Sequence, residues 1–399
     1  TLTNITAGIS KVTATINGHS QSVDTTFVAD GGTATIVNGD LTITIDHAVA
    51  NGTDTNAVQA KVTDANGNVV PSVAVTFTAN NGATITNASA NTDENGLAAT
   101  TLTNITAGIS KVTATVNGHS QTVDTTFVAD GGTATIVNGD LTITTDNAVA
   151  DGTDTNAVQA KVTDANGNVV PNVAVTFTAN NGATVTTASA MTGSNGLAST
   201  TLTNTKTGIS RVSAAINSTS QSVDTTFIAD GGTATIIDGN LTVTTNNAKA
   251  DGADTNAVQA KVTDANGNVV TNVSVSFIAD NGATVTSTSA TTNQQGLATT
   301  TLTNTTSGVS KVTAKINGHS QTVDTTFVAD GGTATIVNGD LTVIIDNAVA
   351  NGTDTNAVQA KVTDANGNVV PSVAVTFAAN NGATITTASA NTDENGIAT

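Results

Sequence analysis

Polar and apolar residues alternate with a period of two in short runs along the whole chain, and no run carries a helical period. In the run Ala57–Thr63, Val58, Ala60 and Val62 share one face, while Gln59, Lys61 and Thr63 share the other. Val73, Val75 and Phe77 alternate with Ala74, Thr76 and Thr78 in the next run. The same parity aligns Leu41, Ile43 and Ile45; Ala83 and Ile85; Ala98, Thr100 and Leu102; Val112, Ala114 and Val116; and Val123, Thr125 and Phe127. Asn66-Gly67, Asn81-Gly82 and Asn95-Gly96 punctuate these runs with turn chemistry. About seven short strands separated by such turns predict a two-sheet antiparallel sandwich, with one face of each sheet in water.

The pattern then repeats almost letter for letter. AVQAKVTDANGNVV begins at Ala57, Ala157, Ala257 and Ala357, and a VDTTF run ends at Phe27, Phe127, Phe227 and Phe327. Solenoid units of roughly 20–50 residues need neighbours to bury their cores. A 100-residue spacing is instead the size of a self-contained domain. The chain is therefore expected to be a row of separately folded sandwiches.

Their boundaries are placed in the recurrent segment VADGGTATI. Asp30, Gly31 and Gly32 form the first expected linker. Asp130, Gly131 and Gly132, then Asp230, Gly231 and Gly232, and lastly Asp330, Gly331 and Gly332 form the others. Complete repeats are thus expected over 31–130, 131–230 and 231–330. Residues 1–30 read as the final strands of a truncated repeat, and 331–399 as the front of another. The two remnants together make about one unit, so the residues read as a window onto a longer array. The linkers hold no Pro-rich or Ser-rich spacer, which predicts end-to-end contact and an elongated, semi-rigid rod.

Each core must be built mainly from small side chains, because eight Phe are the only aromatic residues in the chain. They fall two per repeat, at Phe77 and Phe127 in the first complete one. The formal charge of −19, with 11 Lys and Arg among 399 residues, disfavours nucleic acid as a partner. No apolar run is long enough to span a bilayer as a helix, so membrane contact within this segment is not expected. Cysteine is absent. A composition rich in Thr, Asn, Ala, Gly and Asp leans towards a secreted bacterial surface protein.

Candidate chemistry is sparse. His19, His119 and His319 are interrupted by Thr219 at the equivalent place, and His47 becomes Asn147, Asn247 and Asn347. No catalytic triad can be built on such a variable base, and the expectation is a protein that is not an enzyme. Asp93-Glu94 likewise becomes Gly193-Ser194. Turn chemistry explains the Asp-rich loops without an ion, so no cofactor is expected. The remaining metal reading is Ca²⁺ at a junction, with Asp30, Asp40, Asp46 and Asp124 converging on it. Lys61 and its copies at 161, 261 and 361 raise the idea of a Lys–Asn isopeptide staple, but strand parity puts them in water. Sugar recognition usually stacks glycans on exposed aromatics, and none is expected here.

The block VTDANGNVVPNVAVTF (Val162 to Phe177), the NGLA turn-strand and the G-x-S-K/R-V strand resemble the bacterial Ig-like domains, group 1, of the intimin/invasin adhesins. This resemblance runs over essentially all the residues. It implies Ig-like sandwiches on a bacterial surface chain, tethered by an outer-membrane β-barrel and carrying an adhesive tip. Neither barrel nor tip is recognisable in these residues. The expected role is therefore a stalk or spacer, whose partners are neighbouring repeats of the same chain. A host or bacterial surface ligand would be met only through regions outside this segment. The alternative is a self-associating extracellular fibre or matrix protein.

Overall fold

Period-two runs become strands throughout a computed structural model that describes all 399 residues. The chain forms two compact units. One comprises Thr1–Asp146, Thr155–Leu202 and Ile209–Thr225, and the other Asn147–Asp154, Thr203–Gly208 and Thr226–Thr399.

The first unit begins with a hairpin of β1 (Gly8–Ile16) and β2 (His19–Phe27). A complete sandwich follows. Its four-stranded sheet has the order β3 (Leu41–Ile45), β5 (Asn56–Lys61), β9 (Leu97–Thr103) and β7 (Thr84–Ile85). The facing five-stranded sheet has the order β4 (Ala48–Val49), β11 (His119–Val128), β10 (Gly108–Val116), β6 (Ala74–Ala79) and β8 (Ser89–Asn91). Val58, Ala60, Val62, Val75, Phe77, Leu102, Val112 and Phe127 meet between the sheets, each almost completely buried. The alternation in the sequence thus chooses the inner face. The Thr100 hydroxyl, also inside, donates to the Asn87 carbonyl at 2.9 Å, which satisfies a buried polar group.

Two expectations need correction. β3 slips its register against β5 between Ile43 and Ile45, and the extra residue turns Ile45 outward, leaving it 52% exposed. Parity counted along the sequence cannot see a bulge. The sandwich is also not wholly antiparallel, because the two-residue β4 runs parallel to β11, with Ala48 opposite Phe127 and Val49 opposite Val128.

The 131–230 segment contributes to this unit the antiparallel pair Leu141–Thr145 with Asn156–Lys161. In the same unit Gly196 adopts φ +73, and a Cβ there would sit 2.8 Å from the Val162 carbonyl oxygen and 3.0 Å from the Val169 Cβ. Gly196→Ala is expected to cost about 1–2 kcal/mol from the left-handed backbone alone, with the clash adding to it. A urea titration followed by circular dichroism checks this; an unchanged midpoint would show that the turn relaxes freely.

The second unit holds another complete sandwich. Leu241–Thr245, Asn256–Lys261, Leu297–Thr303 and Thr284–Val285 form one sheet. Ala248–Lys249, His319–Val328, Gly308–Ile316, Ser274–Ala279 and Ser289–Thr291 form the other, around Phe277 and Phe327. Its last residues form a three-stranded sheet of Leu341–Ile345, Ala357–Lys361 and Ile397–Ala398, beside the pair Ala374–Thr376 and Ser389–Asn391. No helix is long and apolar enough to cross a membrane.

Candidate functional site at the repeat junctions

Asp30, Gly31 and Gly32 do not form a slack connection. Asp30 is extended (φ −81, ψ 96), and its Oδ1 accepts the Gly32 N–H at 2.9 Å, capping a single 3₁₀ turn over Gly31–Thr33. The next residue, Ala34, is fully buried in the first sandwich. Asp130, Asp230 and Asp330 cap the turns Gly131–Thr133, Gly231–Thr233 and Gly331–Thr333 in the same way. Small residues suit this place because the chain must turn tightly before entering a core.

The cap is held by a second loop. The Asp30 N–H donates to Asp64 Oδ2 at 3.1 Å, and Asp64 Oδ1 accepts from the N–H groups of Asn66 and Asn68. Asn68 Nδ2 also donates to Asp64 Oδ2 at 2.9 Å. That amide holds the Asp64 carboxyl well below the usual carboxylate range, at about 2; partial burial opposes the shift, and the three backbone donors reinforce it.

Asn68 then reaches out of its own sandwich. Its Nδ2 donates to the Ile5 carbonyl at 2.8 Å, and its Oδ1 accepts the Ala7 N–H at 2.9 Å. Asn168 makes the same pair of bonds to Ile105 and Ala107. Asn268 makes them to Thr205 and Thr207, and Asn368 to Thr305 and Ser307. The contacted residues change from Ile to Thr and from Ala to Thr or Ser, yet the bonds survive, because at these positions the amide contacts only backbone. Asn166 adds a second link from Nδ2 to the Ala50 carbonyl at 2.9 Å. Asn266 and Asn366 repeat it to Ala150 and Ala250. Each hydrogen bond of this kind is worth about 1 kcal/mol net, and three act together at these junctions.

One junction differs. Lys249 Nζ lies 3.0 Å from Asp330 Oδ1, where the other repeats carry Val at the lysine position. This ammonium holds Asp330 below the ordinary carboxylate range, and the Gly332 N–H adds to the shift.

The four aspartates weighed for calcium are each engaged elsewhere or stand apart. Asp30 caps its turn; Asp46 accepts from the Thr125 hydroxyl and the Thr126 N–H; Asp124 faces Lys111 at 4.0 Å. Asp40 accepts the Lys61 N–H through its backbone carbonyl. No three carboxylate or imidazole side chains gather into a possible metal site. His19, His47, His119 and His319 are exposed, and so are Lys61 and its three copies. An open cleft of about 440 Å³ beside Phe27, Val28, Pro71 and Val73, with a counterpart of about 430 Å³ beside Phe327 and Pro371, has mainly apolar walls. Glu94 and Glu394 are the only titratable residues on them. Such a cleft offers no pair of groups for acid–base chemistry.

The sequence suggested linkers at Asp-Gly-Gly and read Asn66, beside Gly67, as a turn residue only. One signal was available: Asn68 follows the turn that Asn66-Gly67 completes, so turn chemistry alone does not require it.

Residues 38–128, 138–228, 238–328 and 338–399 each match the bacterial Ig-like domain (group 1). The chain belongs to this family. No curated protein sequence matches it. Among solved structures, the adhesin FdeC of Escherichia coli is 21% identical, with a TM-score of 0.53, over 76% of this chain and 100% of that one. InvD of Yersinia pseudotuberculosis is 16% identical, with a TM-score of 0.52, over 75% and 98%. Invasin, a bacterial integrin-binding protein, is 23% identical over 82% and 67%, with a TM-score of 0.44. At these identities the likeness to FdeC and InvD concerns the fold of the group 1 Ig-like array.

Proposed function

We propose that this array of group 1 Ig-like domains is a non-enzymatic stalk segment of a bacterial cell-surface adhesin. It would lie outside the cell and hold a distal binding domain away from the envelope. Ligand contact would come through regions outside these residues. The observation that carries this reading is the amide clamp, repeated at four junctions and made to backbone each time. A flexible tether needs no such device, whereas a spacer gains reach only when its joints resist bending.

The path through a repeat supports the same reading. At one end of the first sandwich, the tip of the β10–β11 hairpin sits on the linker, where Asn117 Nδ2 donates to the carbonyls of Gly31 and Ala34. At the other end of β11, the Val128 carbonyl accepts the Ala50 N–H. The chain therefore enters near one end of this ten-residue strand and leaves near the other. That distance is about 30 Å at the usual strand rise.

Small-angle scattering tests the stalk reading on the 399-residue chain. The expected wild-type result is a radius of gyration independent of concentration. Replacing Asn166, Asn168, Asn266 and Asn268 together with alanine is expected to shorten the mean end-to-end distance while the circular dichroism stays unchanged. Superimposable curves would show that the clamps add no stiffness. A mass that climbs with concentration would favour the self-associating fibre.

A further inference from the structure

The parallel strand pair that departs from the expected antiparallel pattern joins the first and last parts of each complete repeat. In the first sandwich the His47 N–H donates to the Thr126 carbonyl at 3.0 Å, and the Ala50 N–H to the Val128 carbonyl at 2.8 Å. Buried Asn56 bridges the same two segments: its Nδ2 donates to the Thr126 carbonyl, and its Oδ1 accepts the Ala48 N–H. Asp46 Oδ1 accepts the Thr126 N–H and the Thr125 hydroxyl.

The third repeat rebuilds the patch with a different residue. Asn246 stands where the first repeat has Asp46, and its Oδ1 accepts the Thr326 N–H at 2.8 Å and the Thr325 hydroxyl at 2.9 Å. The Asn247 and Ala250 N–H groups donate to Thr326 and Val328, and Asn256 bridges as before. The charge has changed and the acceptor has stayed. The patch therefore depends on its hydrogen bonds and not on an ion pair.

Direction matters more than number. Tension applied through neighbouring repeats pulls Asp30 one way and Asp130 the other. It reaches β4 through β3, and β11 directly. Because β4 and β11 run parallel, the two strands are driven to slide past each other along their length. Their hydrogen bonds are then loaded together, whereas an antiparallel hairpin pulled at its open end loses them one at a time. Forced unfolding is governed by the unfolding rate, so interactions loaded together raise resistance out of proportion to their equilibrium worth.

We propose that the patch linking residues 46–50 and 56 to 125–128, with its copies in the next two repeats, is a shear clamp that lets each domain carry tension without opening. The proposal rests on the stalk reading for its biological use, but its test does not. The whole chain is pulled in a single-molecule force experiment. Cysteine is absent from it, so one added at each end gives unique handles. Three high-force events are expected, each releasing about 300 Å of chain. Asn246→Ala and Ala250→Pro should each move one of the three to clearly lower force. Asn246→Ala leaves the backbone intact and carries the test if Ala250→Pro prevents that repeat from folding.

The control is Thr300→Val, which removes the buried hydroxyl bond to the Ser287 carbonyl in the same repeat, away from the patch. It is expected to lower equilibrium stability by an amount similar to Asn246→Ala and to leave the three forces together. Equal loss of force in Thr300→Val and Asn246→Ala would overturn the clamp, as would three unshifted events in both patch variants. A scattering curve insensitive to the junction asparagines would remove the stalk and leave this result standing.

Discussion

Phe277→Ala is expected to remove about 3–5 kcal/mol from the third repeat. Phe277 is fully buried on the strand Ser274–Ala279, and only one other aromatic side chain, Phe327, shares its core. Their neighbours are Val, Ala, Leu and Ile, which cannot refill a benzyl-sized space without moving strands. A domain of this size has about 5–15 kcal/mol of stability in all, so the loss leaves the repeat near its folding threshold. The wild-type chain should melt with closely grouped transitions, and the variant should show one transition at much lower temperature. Circular dichroism gives the melt, and limited proteolysis at 25 °C should cut first between residues 231 and 330. A single unchanged transition would mean that the cavity collapses or that junctions hold the repeat together.

Acid should act through the loop that holds Asp30 and through its copies at Asp164 and Asp364. Asp64 is held at about 2 in the folded chain, against an ordinary value of about 3.9. A carboxyl whose folded pKa is depressed contributes stability that is fully present above its unfolded pKa. That stability is lost as the pH falls through the folded value. Melting temperature should therefore be flat from neutrality down to about pH 5 and fall between roughly pH 4 and 2. The copies Asp164 and Asp364 work in the same direction, since the amides of Asn168 and Asn368 and several N–H groups outweigh the upward push of burial.

Asp64→Asn separates this loop from the other carboxylates. An amide there turns one acceptor into a donor that faces the N–H of Asp30 or of Asn66 and Asn68. The variant should melt lower than the wild type at pH 7, and the gap should narrow towards pH 2. A gap that stays constant with pH would show that the carboxylate charge is not what matters.

The inner face of the long strands in the complete sandwiches was legible in the sequence. Val58, Ala60 and Val62 are inside, and Lys61 between them is outside, because a pleated strand admits no other assignment once one face is apolar. The two Phe per repeat were legible as core anchors for the same reason. Asp-Gly-Gly was legible as a recurrent turn, but that Asp30 and its copies each cap a 3₁₀ turn, with buried Ala34 following the first, was not. Ile45 was not legible, because a bulge changes parity without changing composition.

The asparagine clamps and the parallel patch were hidden for a further reason. Asn168 bonds to Ile105 and Ala107, 61 to 63 residues away, and Ala50 bonds to Val128. All of these contacts are to backbone carbonyls or N–H groups, which every residue carries and which leave no mark in a sequence. Alternation, turns and period thus determined what each repeat is: a small-residue sandwich with strands of known face. Which distant backbones lie within hydrogen-bond reach was decided only when the sheets packed, and on that depend how one repeat holds the next and how its first strand holds its last.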